Sequence, residues 1–207
     1  MQLVYPLTTE RLTIRALTLG DLDRHHALFS DPEVVRYLYF GPFDRSGAEE
    51  HLARRSTVDL PGEGEWINFG VEVKDEGILI GELAMGFISE NHAHYEVGYV
   101  FDPAYAGRGY ATEGAAMIVE LAFSGLGAHR VSGRLDARND ASARVLEKLG
   151  MRREAHFIEN EFVKGEWTDE LAYGILAPEW RALRGPPPEF HFYGWSPSHD
   201  DDDSGAD

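Results

Sequence analysis

Two glycines bracket an arginine at Gly107-Arg108-Gly109, and Tyr110, Ala111 and Thr112 follow directly. Glycine can take backbone conformations closed to other residues, and it lets an anion approach without a Cβ in the way. Where a helix starts at such a turn, its first amides have no partner within the helix, and its dipole is positive at that end. Successive free amides at a helix start make a seat for an anionic phosphate. The chemistry this stretch offers is therefore the holding of a phosphate-bearing ligand.

The flanking sequence supplies the strand and the helix that such a seat needs. Tyr95, Val97, Tyr99 and Phe101 alternate with Glu96, Gly98 and Val100, which predicts a strand over 94–101. Asp102-Pro103 ends it, because proline cannot donate to a ladder. After the turn, Ala111, Ala115, Ile118, Val119 and Ala122 recur at helical spacing. A Walker A loop would need lysine and then Ser or Thr after the second glycine, and neither is present. A dinucleotide fingerprint would need a third glycine where Thr112 stands, within repeated βαβ units. The remaining fit is one crossover inside a largely antiparallel sheet.

Strands are expected at 8–16, 65–73, 78–88, 129–135, 151–163 and 167–176, with the last two forming a hairpin around Lys164-Gly165. The strand at 129–135 should lie parallel to 94–101, because the connection between them crosses over. Helices are expected after Asp21, over 32–40 following Asp31-Pro32, over 46–58 with Ser46 as cap and Glu49 completing a capping box, and over 139–149. Pro178 to Leu183 reads as one helical turn. These elements predict an α/β (α+β) fold, with a single mixed, mostly antiparallel sheet of about seven strands flanked by helices. One domain over 1–184 is expected, followed by a tail at 185–207 that is rich in proline and aromatics and then acidic. Phe190, Phe192, Tyr193 and Trp195 in that tail are expected to dock, and the acidic end to be disordered.

The chain of 207 residues carries a formal net charge of −17. That charge argues against nucleic acid and anionic membrane as partners. It also fits a salt-adapted, halophilic source, where acidity keeps a protein soluble. With no cysteine, disulfides and thiolate chemistry are excluded. No long apolar run and no leader pattern is present, so a cytoplasmic location is expected. His92 and His94 lack a third ligand at sensible spacing, so no metal is expected. Met85 and Met117 read as core.

AYAGRGYATEGAAMIVELAF followed by RLDARNDASARVLEKLGM resembles the Gcn5-related N-acetyltransferase (GNAT) superfamily. ERLTIRALTLGD and GEWTDELAYGIL point within it to the branch of the Rim-type ribosomal-protein N-terminal acetyltransferases. The resemblance covers roughly residues 8 to 183 and implies the GNAT acyl-CoA N-acyltransferase fold. It implies acetyl-CoA as cosubstrate, with the pyrophosphate on the amides of Gly107, Arg108, Gly109, Tyr110, Ala111 and Thr112. The pantetheine arm would pair with the backbone of Tyr99, Val100 and Phe101. Asn139 would hydrogen-bond the arm, and Ser142 would sit near the thioester. Ala104 replaces the Gln or Arg usual before the first glycine, a change that leaves the amides in place.

The implied reaction is direct attack of a primary amine on the thioester in a ternary complex. A base must take the ammonium proton, and a donor must meet the leaving thiolate. Glu96 is the first candidate base, with a water chain, Glu82, Asp169 and His94 as alternatives. Many members place an acidic tyrosine in the helix after the asparagine, but here that region reads Val145-Leu146-Glu147. Ser142 or water is left as the thiol proton donor. The acceptor is open between a protein α-amino group, a polyamine-like molecule and an aminoglycoside-type drug, and so is a homodimer. The alternative function is an acyl-CoA-binding sensor without turnover.

Overall fold

The structure is a computed structural model, described over residues 2–57 and 59–193. Strands β1 (Gln2–Leu3), β2 (Leu7–Thr8) and β3 (Leu12–Ala16) open the chain, followed by helices α1 (Leu22–Phe29) and α2 (Arg45–Arg55). Strands β4 (Trp66–Val73), β5 (Ile78–Ser89) and β6 (His94–Phe101) form a meander. Helix α3 (Tyr110–Glu120) crosses to β7 (Arg130–Asp136). Helix α4 (Asp140–Lys148), the hairpin β8 (Arg152–Val163) and β9 (Glu166–Leu176), α5 (Ala177–Leu183) and β10 (Phe192–Tyr193) complete it. The main sheet runs β2-β3-β4-β5-β6-β7-β9-β8, so it has eight strands where about seven were expected. The extra strand comes from the opening segment, which turns back at Thr9–Arg11 to pair Leu7 with Ile14.

Among the described residues only β6 and β7 run parallel, as the crossover requires, and they pair from His94–Arg130 to Glu96–Ser132. Beyond that rung the two strands separate. Val97 to Phe101 keep β5 on one side and have no β7 partner on the other. Helix α3 buries Ala115, Ile118 and Val119 against the sheet, in one core with Leu12, Ile14, Ile67, Phe69 and Leu83. Met85 is fully buried there, and Met117 packs against its margin.

The expected helix over 32–40 is absent; the segment is a chain of turns. Two of the carbonyls a helix would use, those of Val35 and Arg36, accept instead from the Lys164 ammonium at 2.5 and 3.0 Å. Val35 is drawn into a cluster with Leu28 and Phe29. The cap of α2 is Asp44 rather than Ser46, its carboxylate accepting from the Gly47 amide at 2.8 Å. The helix stops at Arg55, where the Ser56 hydroxyl takes the Leu52 carbonyl. Phe190 and Phe192 pack against the main core, and β10 pairs with β1, joining Leu3 to Phe192 and Gln2 to Tyr193. Trp195 and the acidic end lie outside the described residues. Among the described residues, no helix is long and apolar enough to cross a membrane.

Candidate active site

The glycine turn sits between a short 3₁₀ turn (Pro103–Tyr105) and the start of α3. Gly107 has φ +74° and Gly109 φ +84°, and nothing stands within 4 Å of where a Cβ on Gly107 would be. The left-handed backbone at both positions is what a residue with a Cβ avoids. Among the described residues, the amides of Gly107, Arg108, Gly109, Tyr110, Ala111 and Thr112 find no acceptor; the first amide bonded back is that of Glu113, on the Gly109 carbonyl. Six consecutive free donors at the positive end of a helix fit a diphosphate.

Arg11 fastens this turn to the body of the protein. Its guanidinium donates to the Arg108 carbonyl at 2.9 Å and to Glu113 at 2.7 Å, and it lies 4.7 Å from the centre of the Tyr110 ring. Thr9 donates to the same Glu113 carboxylate at 2.6 Å. Burial would raise the Glu113 carboxyl, but the bonds from Thr9 and Arg11 outweigh it and hold it below its ordinary value. With the Arg108 carbonyl tied inward, the neighbouring amides are left to face out. The linear sequence gave no sign of this brace, because Arg11 and Arg108 meet only through the fold.

The gap between β6 and β7 opens into a cavity of about 410 Å³. Glu96, Val97, Gly98 and Tyr99 line it from β6, Leu135 and Asp136 from β7, and Asn139 and Ser142 from the start of α4. The structure thus brings Glu96, Tyr99, Asn139 and Ser142 to one cavity, beside the free edge of Val97 to Phe101. Asn139 caps α4: its side-chain oxygen accepts from the Ser142 amide at 3.0 Å. That leaves the Asn139 amide NH₂ free to donate.

Tyr99 reaches across the gap. Its hydroxyl donates to the Ser142 carbonyl at 2.9 Å, and the Ser142 hydroxyl lies 3.0 Å from the same phenol oxygen. Burial pushes the Tyr99 phenol up, so it stays protonated. A phenol is therefore present beside Ser142, supplied by a strand rather than by the helix after Asn139.

Glu96 lies on the last rung before the strands part. Trp66, Gly86, Glu96 and Ser132 are successive partners across β4, β5, β6 and β7. The Trp66 ring lies over Gly86, where an added Cβ would meet it at 2.6 Å. This small residue makes room for the Trp66 ring on the sheet face that carries Glu96. Burial raises the Glu96 carboxyl above its ordinary value, with Arg134 opposing. The Ser132 hydroxyl is 3.4 Å from it, and Arg134 is itself paired with the buried Glu170.

The other candidate bases are differently placed. Glu82 is buried and committed: His25 Nδ1 is 2.5 Å from one oxygen and the Arg55 guanidinium 3.2 Å from the other. His25 in turn bonds His51 at 3.0 Å, and burial drives His51 down to about 3. Asp169 lines the cavity, but it accepts from the Glu159 amide and from His156 at 2.9 Å each, which lowers its pKa and makes it a poor base. His94 stands behind Ser132, its Nε2 2.8 Å from the hydroxyl. Among the described residues, no three His, Asp or Glu side chains are grouped to hold a metal.

A family model described as the acetyltransferase (GNAT) domain matches residues 11–152. The chain is 34% identical over 174 residues to the uncharacterized N-acetyltransferase YnaD of Bacillus subtilis, covering 84% of this chain and 98% of the relative. The crystal structure of a GNAT-family acetyltransferase from Bacillus anthracis superposes with a TM-score of 0.76 at 32% identity, covering 84% of this chain and 99% of that one. A spermidine N-acetyltransferase of Vibrio cholerae, solved in complex with CoA and spermine, shares the fold with a TM-score of 0.70 at 24% identity, covering 83% of this chain and 99% of that one.

Proposed function

Because this chain belongs to the acetyltransferase (GNAT) family and is an acetyl-CoA-dependent acetyltransferase, we propose that it acetylates a primary amine by direct attack inside the cavity between β6 and β7. One observation carries the assignment of the site: the free edge of Val97 to Phe101 leads directly into a glycine turn with six unpaired amides. The amides of Gly107 to Thr112 hold the pyrophosphate. The pantetheine arm pairs with Tyr99, Val100 and Phe101 as a strand would, and the free NH₂ of Asn139 donates to it. This brings the thioester to the mouth of the cavity, near Ser142.

The acceptor enters over Trp66 and Gly98 and places its nitrogen beside Glu96. Glu96, its carboxyl raised above the ordinary value by burial, takes the ammonium proton in its ionised form. The amine attacks the thioester carbonyl, the C–S bond breaks, the acylated nitrogen gives its second proton to water, and the thiolate takes a proton from Ser142, which regains one from water; the Ser142 hydroxyl is braced by Tyr99. The acceptor reading covers protein α-amino groups, which the resemblance to the Rim-type branch favours, and polyamines, in keeping with the Vibrio cholerae relative named a spermidine acetyltransferase. The test is to offer the full chain acetyl-CoA with a panel of N-terminal peptides, spermidine and an aminoglycoside. Free thiol released in step with acetylated amine is expected. Binding of acetyl-CoA with no thiol release from any amine would overturn the reading.

A further inference from the structure

Glu96 poses a problem for turnover. A base that takes a proton in each cycle must lose it before the next, and Glu96 is half-buried on the cavity floor. Its neighbours show where that proton can go. Ser132 of β7 is its rung partner, and the hydroxyl lies 3.4 Å from the Glu96 carboxylate. The same hydroxyl is 2.8 Å from His94 Nε2. His94 is two residues before Glu96 on β6, so both side chains leave the same face of the strand. Ser132 bridges them from the adjacent strand. Ser132 itself is buried, and its hydroxyl has one further neighbour, the Tyr95 carbonyl at 3.5 Å. His94 is only half-buried and so has access to water.

We propose that Glu96, Ser132 and His94 form a proton exit, carrying the proton taken from the acceptor amine out of the cavity along the face of the sheet. The inference rests on Glu96 being the base. In the resting state the Ser132 hydroxyl donates to the unprotonated Nε2 of His94, whose Nδ1 carries the ring hydrogen. Once Glu96 is protonated, its O–H donates to the Ser132 oxygen. The Ser132 proton then moves to His94 Nε2 as the Glu96 proton moves to Ser132. This leaves a carboxylate, a neutral hydroxyl and an imidazolium, which releases one proton to water.

The surroundings narrow the difference between the two ends of the relay. Burial raises Glu96, while burial and the Arg130 guanidinium lower His94, so the two ends are drawn toward each other. Around Glu96 stand Arg134 and Glu170; around His94 stand Arg130, His92 and Glu154. Arg130 is paired with Glu154, and Arg134 with Glu170, which leaves the relay between two neutralised pairs. The 3.4 Å separation is long for a hydroxyl bond, and protonation of Glu96 is the event that gives it a donor to shorten it.

Ser132→Ala removes the bridge and touches neither end. In dilute buffer its kcat should fall about tenfold, short of the 10²–10⁴-fold expected for losing a base, with KM for acetyl-CoA unchanged. His94→Ala should fall similarly, and added imidazole should restore its kcat while leaving that of wild type unchanged. Glu96→Gln is measured alongside. If Glu96→Gln turns over as wild type, the base reading falls and takes the relay with it. If Glu96→Gln is inactive, yet Ser132→Ala and His94→Ala keep the wild-type kcat and show no response to buffer, the base stands and the relay is overturned.

Discussion

The Ser142 hydroxyl lies 3.0 Å from the phenol oxygen of Tyr99, and that phenol donates to the Ser142 carbonyl at 2.9 Å. Strand β6 and the first turn of α4 are thus tied across the cavity at the point proposed for the departing thiolate. Tyr99→Phe removes the tie but keeps the ring. Its kcat should fall several-fold, in keeping with roughly 1 kcal/mol for a net hydrogen bond. Ser142→Ala should cost more, about 10²-fold if the hydroxyl is the proton donor. Steady-state kinetics with a fixed amine check both, and equal losses would count against Ser142 as the donor.

Glu96→Gln should lower kcat by about 10²–10⁴-fold and leave acetyl-CoA binding near wild type. The wild-type rate should rise with pH through a value above the ordinary carboxylate range, and the variant should lack that limb. Stability runs the other way. A raised folded-state pKa means that the stability contribution of Glu96 is full below the ordinary carboxylate range, and is lost as pH rises through the raised value. The variant's melting temperature at neutral pH should therefore equal or exceed that of wild type.

Gly109→Val puts a branched side chain at φ +84° and a Cβ 3.4 Å from the Arg11 guanidinium. The backbone strain should cost about 1–2 kcal/mol. Calorimetric titration should find CoA binding lost while circular dichroism shows a folded chain. Unchanged affinity would remove the turn from the pyrophosphate site.

Glu82→Ala tests a buried carboxylate assigned to structure rather than to catalysis. It leaves Arg55 and His25 without their shared partner, and should cost about 3–5 kcal/mol. Urea unfolding measures the loss. Activity per folded molecule at low temperature should stay within a few-fold of wild type, and a collapse in kcat at unchanged stability would reinstate Glu82 as a base.

The glycine turn was legible because everything that makes it is local: two glycines, a proline before them and a helical pattern after them. The alternation in 94–101 and the crossover were legible for the same reason. Apart from the α2 cap, where Asp44 and not Ser46 takes the Gly47 amide, the failures involve distant partners. The segment 32–40 has a helical composition, but Lys164, across the fold, takes the carbonyls of Val35 and Arg36. Glu82 read as a candidate base because nothing in the sequence brings His25 and Arg55 to it. Tyr99 was placed along the cofactor strand, but its reach to Ser142 depends on how far β6 and β7 separate. Trp66 went unremarked because its meaning lies in a register, opposite Gly86 and in line with Glu96.

The parting of β6 and β7 also has a consequence for how the sheet is held together. Three rungs, from His94–Arg130 to Glu96–Ser132, join the strands β2 to β6 to the strands β7, β9 and β8. If the pantetheine arm pairs with Tyr99, Val100 and Phe101 as proposed, the cosubstrate becomes a structural member that closes the open half of that seam. Amide hydrogens along this edge would then exchange quickly in the free chain and slowly with CoA bound, and loading the enzyme would stitch the two parts of the sheet together beyond their three shared rungs.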